Sequence, residues 1–279
     1  MSHSPTLRRR RLSALLVQLR EASGLTVEEA TRRLEWSRGR LTHMERNKWT
    51  RPDVGNMNAL LNVYGVTDPQ MRETVLTLAR QSRTKGWWSE YAEVFRGSLP
   101  GFEAEASEIL AYAALRIPGL LQTPDYMAAV MRTGTLDEQK IQRRIEGRIA
   151  RQKILHREQP LVLQVLIDQA ALNKVVGGPK VMSDQLRHIV ALSEQPTITV
   201  HVIPDTVGAH AGLDGEFSIL RFPEDPSLVY LEAATSDLYL EEDKEVQAYT
   251  LIFDQVREVA LPPHESVAFL VDLAHRFDE

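Results

Sequence analysis

Five runs of apolar residues at helical spacing fill the first eighty positions, broken by closely placed caps and stops. Such a stretch has room for little besides a bundle of short helices. Leu12, Leu15, Leu16 and Leu19 predict an amphipathic helix over about 6–22, ended by Gly24. Thr26 opens a second helix with Glu29 at the capping-box position; Ala30 and Leu34 form its inner face and Trp36 marks its end. Ser37 is suited to cap a third helix running to about Arg46, with Leu41 and Met44 facing the core and Arg38, Gly39, Arg40 and His43 facing away. Arg51-Pro52-Asp53 breaks the chain before a fourth helix over about Val54–Tyr64. Asp68-Pro69 starts a fifth, with cap and N1 proline in place and Met71, Val75 and Leu78 as its buried stripe. Two short helices joined by a tight turn, the second polar on its outer first turn, make the helix-turn-helix pattern.

Charge divides along the chain in the same place. Residues 1–51 hold twelve Arg or Lys against five Glu, a balance of +7, while the remainder holds 21 basic and 33 acidic residues, a balance of −12. The formal net charge of −5 therefore hides one segment suited to polyanions and another suited to stay off them. Arg8, Arg9, Arg10 and Arg11 oppose the helix dipole at the start of the first helix, which points to an external anion such as a phosphate backbone or the minor groove. Arginine can bond guanine O6 and N7 together, so Arg38 and Arg40 are the expected base readers and His43 a weaker one. Trp36 beside a turn is expected as a core plug, and Trp49 either as core or as a surface pressing on the sugar-phosphate backbone.

Leu25-Thr26 through Ala30, then Ser37-Arg38-Gly39-Arg40-Leu41-Thr42-His43-Met44-Glu45-Arg46, then Arg51-Pro52, resembles the XRE class of lambda-type phage repressors, in a register without gaps. The resemblance spans roughly 6–80. It implies base-edge contacts at Arg38, Gly39, Arg40 and His43, and phosphate contacts near Thr26, Arg46 and Lys48. Gly39 departs from the family pattern, which usually has a polar side chain there; a glycine reads no base by hydrogen bond but admits close backbone approach.

At 279 residues the chain is long enough for two domains. We expect a helix-turn-helix domain over 1–80, a connector over 81–102 and a mixed α+β regulatory, dimerisation or partner-binding domain over 103–279. In the connector, Trp87 and Trp88 are expected to clamp the linker onto the second domain. Beyond it the patterns predict a helix over about Glu103–Ala114, a Pro118-Gly119 turn, and a helix capped by Thr123-Pro124. A long helix over about Glu138–Arg157 follows, studded with Arg143, Arg144, Arg148, Arg151 and Gln152 and expected to make exposed salt bridges. Strands are predicted at Leu161–Ile167, Ile198–Ile203, Phe217–Phe222 and Leu228–Leu231, and helices at Val181–Leu192, Glu245–Val259 and Glu265–His275. This half resembles the C-terminal domain of actinobacterial XRE regulators of the antitoxin-like type, in an ordered series of matches. They are the PGLLQT-x-x-Y core ending at Tyr126, Arg148-x-x-Arg151-Gln152, Ile167-Asp168 with Leu172, Val176-Gly177, Met182-x-x-Gln185-Leu186, Val202-Ile203-Pro204 with Gly208-x-His210, Gly215-x-Phe217 and Val229-Tyr230-x-Glu232. The resemblance implies a small partner protein encoded nearby; it implies no ligand and no reaction.

Several chemistries are set aside on residue content. The chain has no cysteine, which removes disulfides, thiolate zinc sites and cysteine nucleophiles. His201, Asp205 and His210 make a poor metal set, so no metal and no cofactor are expected. No G-x-S-x-G elbow and no phosphate-binding glycine fingerprint occur, and Gly177-Gly178 reads as a turn, so no catalytic residues and no enzyme are expected. His210, Phe217, Tyr230 and Glu232 could line a pocket, although Phe217 and Tyr230 read more readily as core. No apolar run reaches membrane-span length, and Met1–Pro5 leads straight into arginines rather than a signal sequence. The expected protein is a cytoplasmic, nucleoid-associated transcription regulator that binds double-stranded DNA as a homodimer, without a membrane. The alternatives are a partner-neutralising antitoxin module, or a ligand-sensing regulator with a small-molecule pocket in the second domain.

Overall fold

A computed structural model describes residues 5–49, 51–95, 97–134, 136–159, 161–233 and 235–279; Met1–Ser4, which entered the signal-sequence reading, lie outside them. The chain divides into two compact units, Met1–Glu90 and Tyr91–Glu279, so the boundary falls inside the stretch expected to connect two domains.

Among the described residues the first unit holds five α-helices: α1 (Pro5–Ala22), α2 (Val27–Arg33), α3 (Arg38–Glu45), α4 (Val54–Val63) and α5 (Pro69–Gln81). Local chemistry sets most of their ends. Thr26 and Glu29 form a complete capping box, Asp53 caps α4, and Asp68 accepts from Gln70 and Met71 ahead of the N1 proline of α5. Gly24 turns the chain after α1 at φ 70°, a conformation that costs glycine nothing. Ser37 departs from expectation: it sits at the N-cap of α3 in extended backbone, but its side chain makes no capping bond. The core joins Leu12 and Leu16 to Ala30, Leu41, Met44, Met57, Leu60, Leu61, Val75 and Ala79. Of the stripe expected on α5, Val75 is buried, whereas Met71 and Leu78 are half-buried and Ala79 takes the second buried place. After α5, Trp87 and Trp88 sit in a 3₁₀ turn (Trp87–Tyr91) and meet edge to face at 6.0 Å.

Among the described residues the second unit is built on a six-stranded mixed sheet: β1 (Glu108–Ala113), β2 (Val162–Asp168), β3 (Ile198–Ile203), β4 (Phe217–Arg221), β5 (Leu228–Glu232) and β6 (Asp237–Leu240), in the spatial order β3-β2-β1-β4-β5-β6. β1, β2 and β3 run parallel, and β4, β5 and β6 continue antiparallel from the other side of β1. Helices fill the crossovers. After α6 (Leu99–Glu103), β1 is linked to β2 through α7 (Pro124–Arg132) and α8 (Glu138–Gln152), and β2 to β3 through α9 (Gln169–Asn173) and α10 (Pro179–Leu192). The chain closes with α11 (Asp243–Val259) and α12 (Pro263–Asp278).

β1 corrects the sequence reading. The stretch Glu103–Ala114 was expected to be helical because Ala, Glu and Leu favour helices. It is instead the tail of α6 followed by a central strand, paired along its length with β2 on one edge and β4 on the other. Burial on both faces, from Ile109 through Ala113, and ladders on both edges outweigh a propensity worth only tenths of a kcal/mol per residue. The helix expected to reach Arg157 ends at Gln152 and tightens into a 3₁₀ turn over Lys153–His156. The strand β6 had no sequence counterpart. Leu110, Tyr112, Leu166, Phe217, Ile219 and Val229 project from one face of the sheet into a core closed by Phe253 and Val256 of α11.

Candidate nucleic-acid interface

The pair α2–α3 presents the expected outer face. Leu41 and Met44 of α3 are buried, while Arg38, Gly39, Arg40 and His43 are all exposed along the opposite side, with Arg46 and Lys48 exposed just beyond. The turn between the helices is sharp because Glu35 adopts φ 55° and Trp36 N–H bonds back to the Thr31 carbonyl at 2.9 Å. Trp36 is packed against the core, as expected of a plug. Its indole has a further task. The Arg40 guanidinium lies over the ring, 4.0 Å from its centroid, and donates to Asn56 Oδ1 at 2.8 Å, so Arg40 is exposed yet held in one orientation. Arg38 pairs with Glu28 of α2 and leaves two-thirds of its side chain in solvent. Nothing lies within 4 Å of where a Gly39 side chain would begin, so packing within the protein does not require the glycine.

Thr26 is exposed, but its hydroxyl is committed: it donates to Glu29 Oε2 at 2.8 Å and accepts from Glu29 N–H at 3.2 Å, while Thr26 N–H donates to the same carboxylate oxygen at 2.8 Å. Those bonds, first from the Thr26 backbone and then from its hydroxyl, hold the Glu29 carboxyl below its ordinary range. The capping contribution is therefore present at neutral pH and lost as acid protonates Glu29 through its lowered folded-state value. Thr26→Ala is expected to lower the stability of the first unit by about 1 kcal/mol. The difference from the parent should narrow as pH falls below the ordinary glutamate range, a trend readable in urea unfolding followed by tryptophan fluorescence.

The arginine run divides. Arg10 is buried at 8% exposure beside buried Thr6 and Leu7, and Arg9 donates to Asn47 Oδ1 at 3.1 Å, with its pKa lowered by burial. Arg8 and Arg11 are half-buried. Trp49 belongs to the core rather than to a surface: it is half-buried against the first-unit cluster, and its Nε1–H donates to the buried Ser13 hydroxyl at 3.0 Å. Sequence reasoning missed a further residue pair that fixes α3. Arg20 of α1 donates to both carboxylate oxygens of Glu45, at 2.7 and 3.3 Å, and to the Leu25 carbonyl at 3.0 Å.

In the second unit the imagined metal set is not assembled. His201 Nδ1 faces the Leu261 carbonyl at 2.9 Å, Asp205 accepts from Asn173, and His210 meets Asp168 at 3.3 Å; no metal-ligating cluster occurs among the described residues. Phe217 and Tyr230 are buried, as expected of core, yet both also border a cavity together with Glu232, whereas His210 does not. The α8 arginines differ from the exposed salt-bridge face that was expected. Arg143 does pair outward with Glu93 at 2.9 Å, but Arg151 holds buried Glu103 with two bonds of 2.6 and 2.7 Å. Arg148 turns inward to Gln122 Oε1 at 3.0 Å.

Comparison with known families gives two matches. A model described as a helix-turn-helix domain matches residues 11–74, and one described as a domain of unknown function (DUF5753) matches residues 97–272. No curated protein and no solved structure gives a match. Among the described residues no helix is long and apolar enough to cross a membrane.

Proposed function

The chain belongs to the family described as a domain of unknown function (DUF5753), carried behind a helix-turn-helix domain, and from that premise we propose a sequence-specific, non-enzymatic regulator of transcription. The observation that supports this reading best is the outer face of α3: two arginines and a histidine exposed around an unhindered glycine, on a helix anchored by Leu41 and Met44. In this reading Arg38 and Arg40 address base edges in the major groove, His43 assists, and Gly39 lets the backbone come close. Arg46, Lys48 and the N-terminus of α2 beside Thr26 grip phosphates. Arg8 and Arg11 add positive potential at the flank, and Arg9 and Arg10 contribute theirs from within the fold.

The finer assignment follows the resemblances of the two halves. The protein is read as an XRE-class regulator of antitoxin-like type, working as a cytoplasmic, nucleoid-associated homodimer with a small partner protein encoded nearby. Two copies reading like the phage repressors would set half-site centres roughly 34 Å apart or a multiple of it.

The test is to select the preferred operator from random duplexes, footprint it, and compare variants. Arg40→Ala and Arg38→Ala are each expected to weaken operator binding by about 10- to 100-fold, the loss of one bidentate guanine contact, while changing affinity for unrelated duplex far less. An unchanged base preference in both variants would remove the base-reading role. If the first unit binds no duplex, the whole reading fails.

A further inference from the structure

A cavity of about 490 Å³ opens inside the second unit, between α8 and the face of the sheet turned away from α11. Its floor exists because the central strands carry small side chains there. Ala111 of β1 stands opposite Ser218 of β4, and Ser218 stands opposite Tyr230 of β5. A volume of that order lies within the range of pockets that hold small organic molecules, roughly 300–1,000 Å³.

The charges around the cavity are unevenly committed. Glu103 is taken by Arg151, Glu232 by Arg116 at 2.7 Å, and Glu216 by the backbone N–H groups of Ala114 and Leu115. Asp237 accepts the Tyr230 hydroxyl at 2.9 Å. Glu216 and Asp237 thus meet only neutral donors, and on the basic side two guanidinium groups have no ion pair among the described residues. Arg148 has only the neutral amide of Gln122, and half-buried Arg144, one turn earlier on α8, has no hydrogen bond or ion pair among the described residues. Like charges four apart on a helix repel, and a cation drawn out of water without a counter-charge is costly. Burial, then the neighbouring charges of Arg151 and Arg116, with a smaller push from Arg144 and against the opposite pull of Glu232, bring the Arg148 pKa down to about 10, so it stays charged at neutral pH. The arrangement is also rigid. Gln122 donates to the Ile117 carbonyl at 2.6 Å, and Gln152 of α8 donates to the carbonyls of Gly119 and Gln122.

We infer that this cavity is a binding site for a small organic anion carrying a flat ring, whose phosphate or carboxylate head is held by Arg144 and Arg148 and whose ring rests against Tyr230. The site is independent of the DNA-reading proposal, since it lies wholly within residues 94–237.

Calorimetric titration and thermal unfolding of the full chain, with phenyl phosphate, benzoate and neutral benzyl alcohol as probes, test it. One anionic probe per chain is expected to bind with Kd below about 1 mM and to raise the melting midpoint of the second unit, whereas benzyl alcohol does neither. Tighter binding of phenyl phosphate assigns a phosphate head, and tighter binding of benzoate a carboxylate. Arg148→Met and Arg144→Gln should each weaken binding at least tenfold. Without probe, Arg148→Met should melt no lower than the parent, because it removes a half-buried charge that has no ion pair among the described residues. Failure of both anions to bind overturns the inference. So does binding left intact in both variants, or a lowered midpoint of unliganded Arg148→Met that marks the arginine as structural.

Discussion

Replacing Glu103 by alanine is expected to lower the stability of the second unit by about 3 kcal/mol, near the lower end of what breaking one side of a buried ion pair costs. Glu103 sits at the end of α6 with its side chain 4% exposed, and both its oxygens accept from Arg151. Burial alone would lower the Arg151 pKa; the charge of Glu103 and its hydrogen bonds outweigh that and raise it. The lower end is expected because Arg151 keeps 20% of its side chain accessible, so cavity water can solvate part of the stranded cation. Glu103→Gln should lose less than alanine, since the amide oxygen still accepts one bond. The double variant Glu103→Leu with Arg151→Met should regain most of the loss, because removing both charges removes the desolvation they shared. The Glu103 variants should therefore lower the unfolding transition seen by far-ultraviolet circular dichroism, and no loss in the alanine variant would contradict the assignment.

What could be read in advance follows the range of the forces involved. The first unit was legible almost to the residue because its helix ends are set within three or four positions: Thr26 with Glu29, Asp53 with Asn56, Asp68 with Gln70 and Met71. The outward side of α3 was legible too, since Leu41 and Met44 define the inward one. β1 was not. Its identity comes from Val162–Ile167 and Phe217–Arg221, partners some 55 and 110 positions away, and nothing in an alanine-rich run announces them. The direction of Arg10 and Arg148 belongs to the same class. Four consecutive arginines look alike, yet Arg10 falls on the stripe of Leu7 and Ser13 and turns inward with them. A signal for the cavity was nevertheless present: Arg144, Arg148 and Arg151 continue, at spacings of four and three, the stripe begun by buried Ile141 and Ile145. An arginine placed on an apolar stripe is a different object from one placed on the opposite face, and only the former needs an internal partner.

The same distinction governs the second large effect, on the reading helix itself. Glu45→Ala is expected to destabilise the first unit by about 2 kcal/mol, because Arg20, with 13% of its side chain exposed, loses both bonds to Glu45 and keeps only the Leu25 carbonyl and Glu21 at 3.7 Å. Arg20 ties three segments together: the last turn of α1, the Leu25 carbonyl ahead of α2, and Glu45 at the last turn of α3. Removing Glu45 frees the end of α3 while leaving Arg38, Arg40 and His43 chemically untouched. Operator affinity should therefore fall even under conditions where the variant remains folded, and base preference should survive, which is the reverse of the pattern expected for Arg40→Ala. Tryptophan fluorescence reads the stability loss directly, since Trp36 and Trp49 both pack against the first-unit core. Arg20→Met combined with Glu45→Leu should recover stability without recovering full affinity, if the pair serves to hold the angle between α1 and α3 and not merely to fill space. Full recovery of both would assign the pair to packing alone.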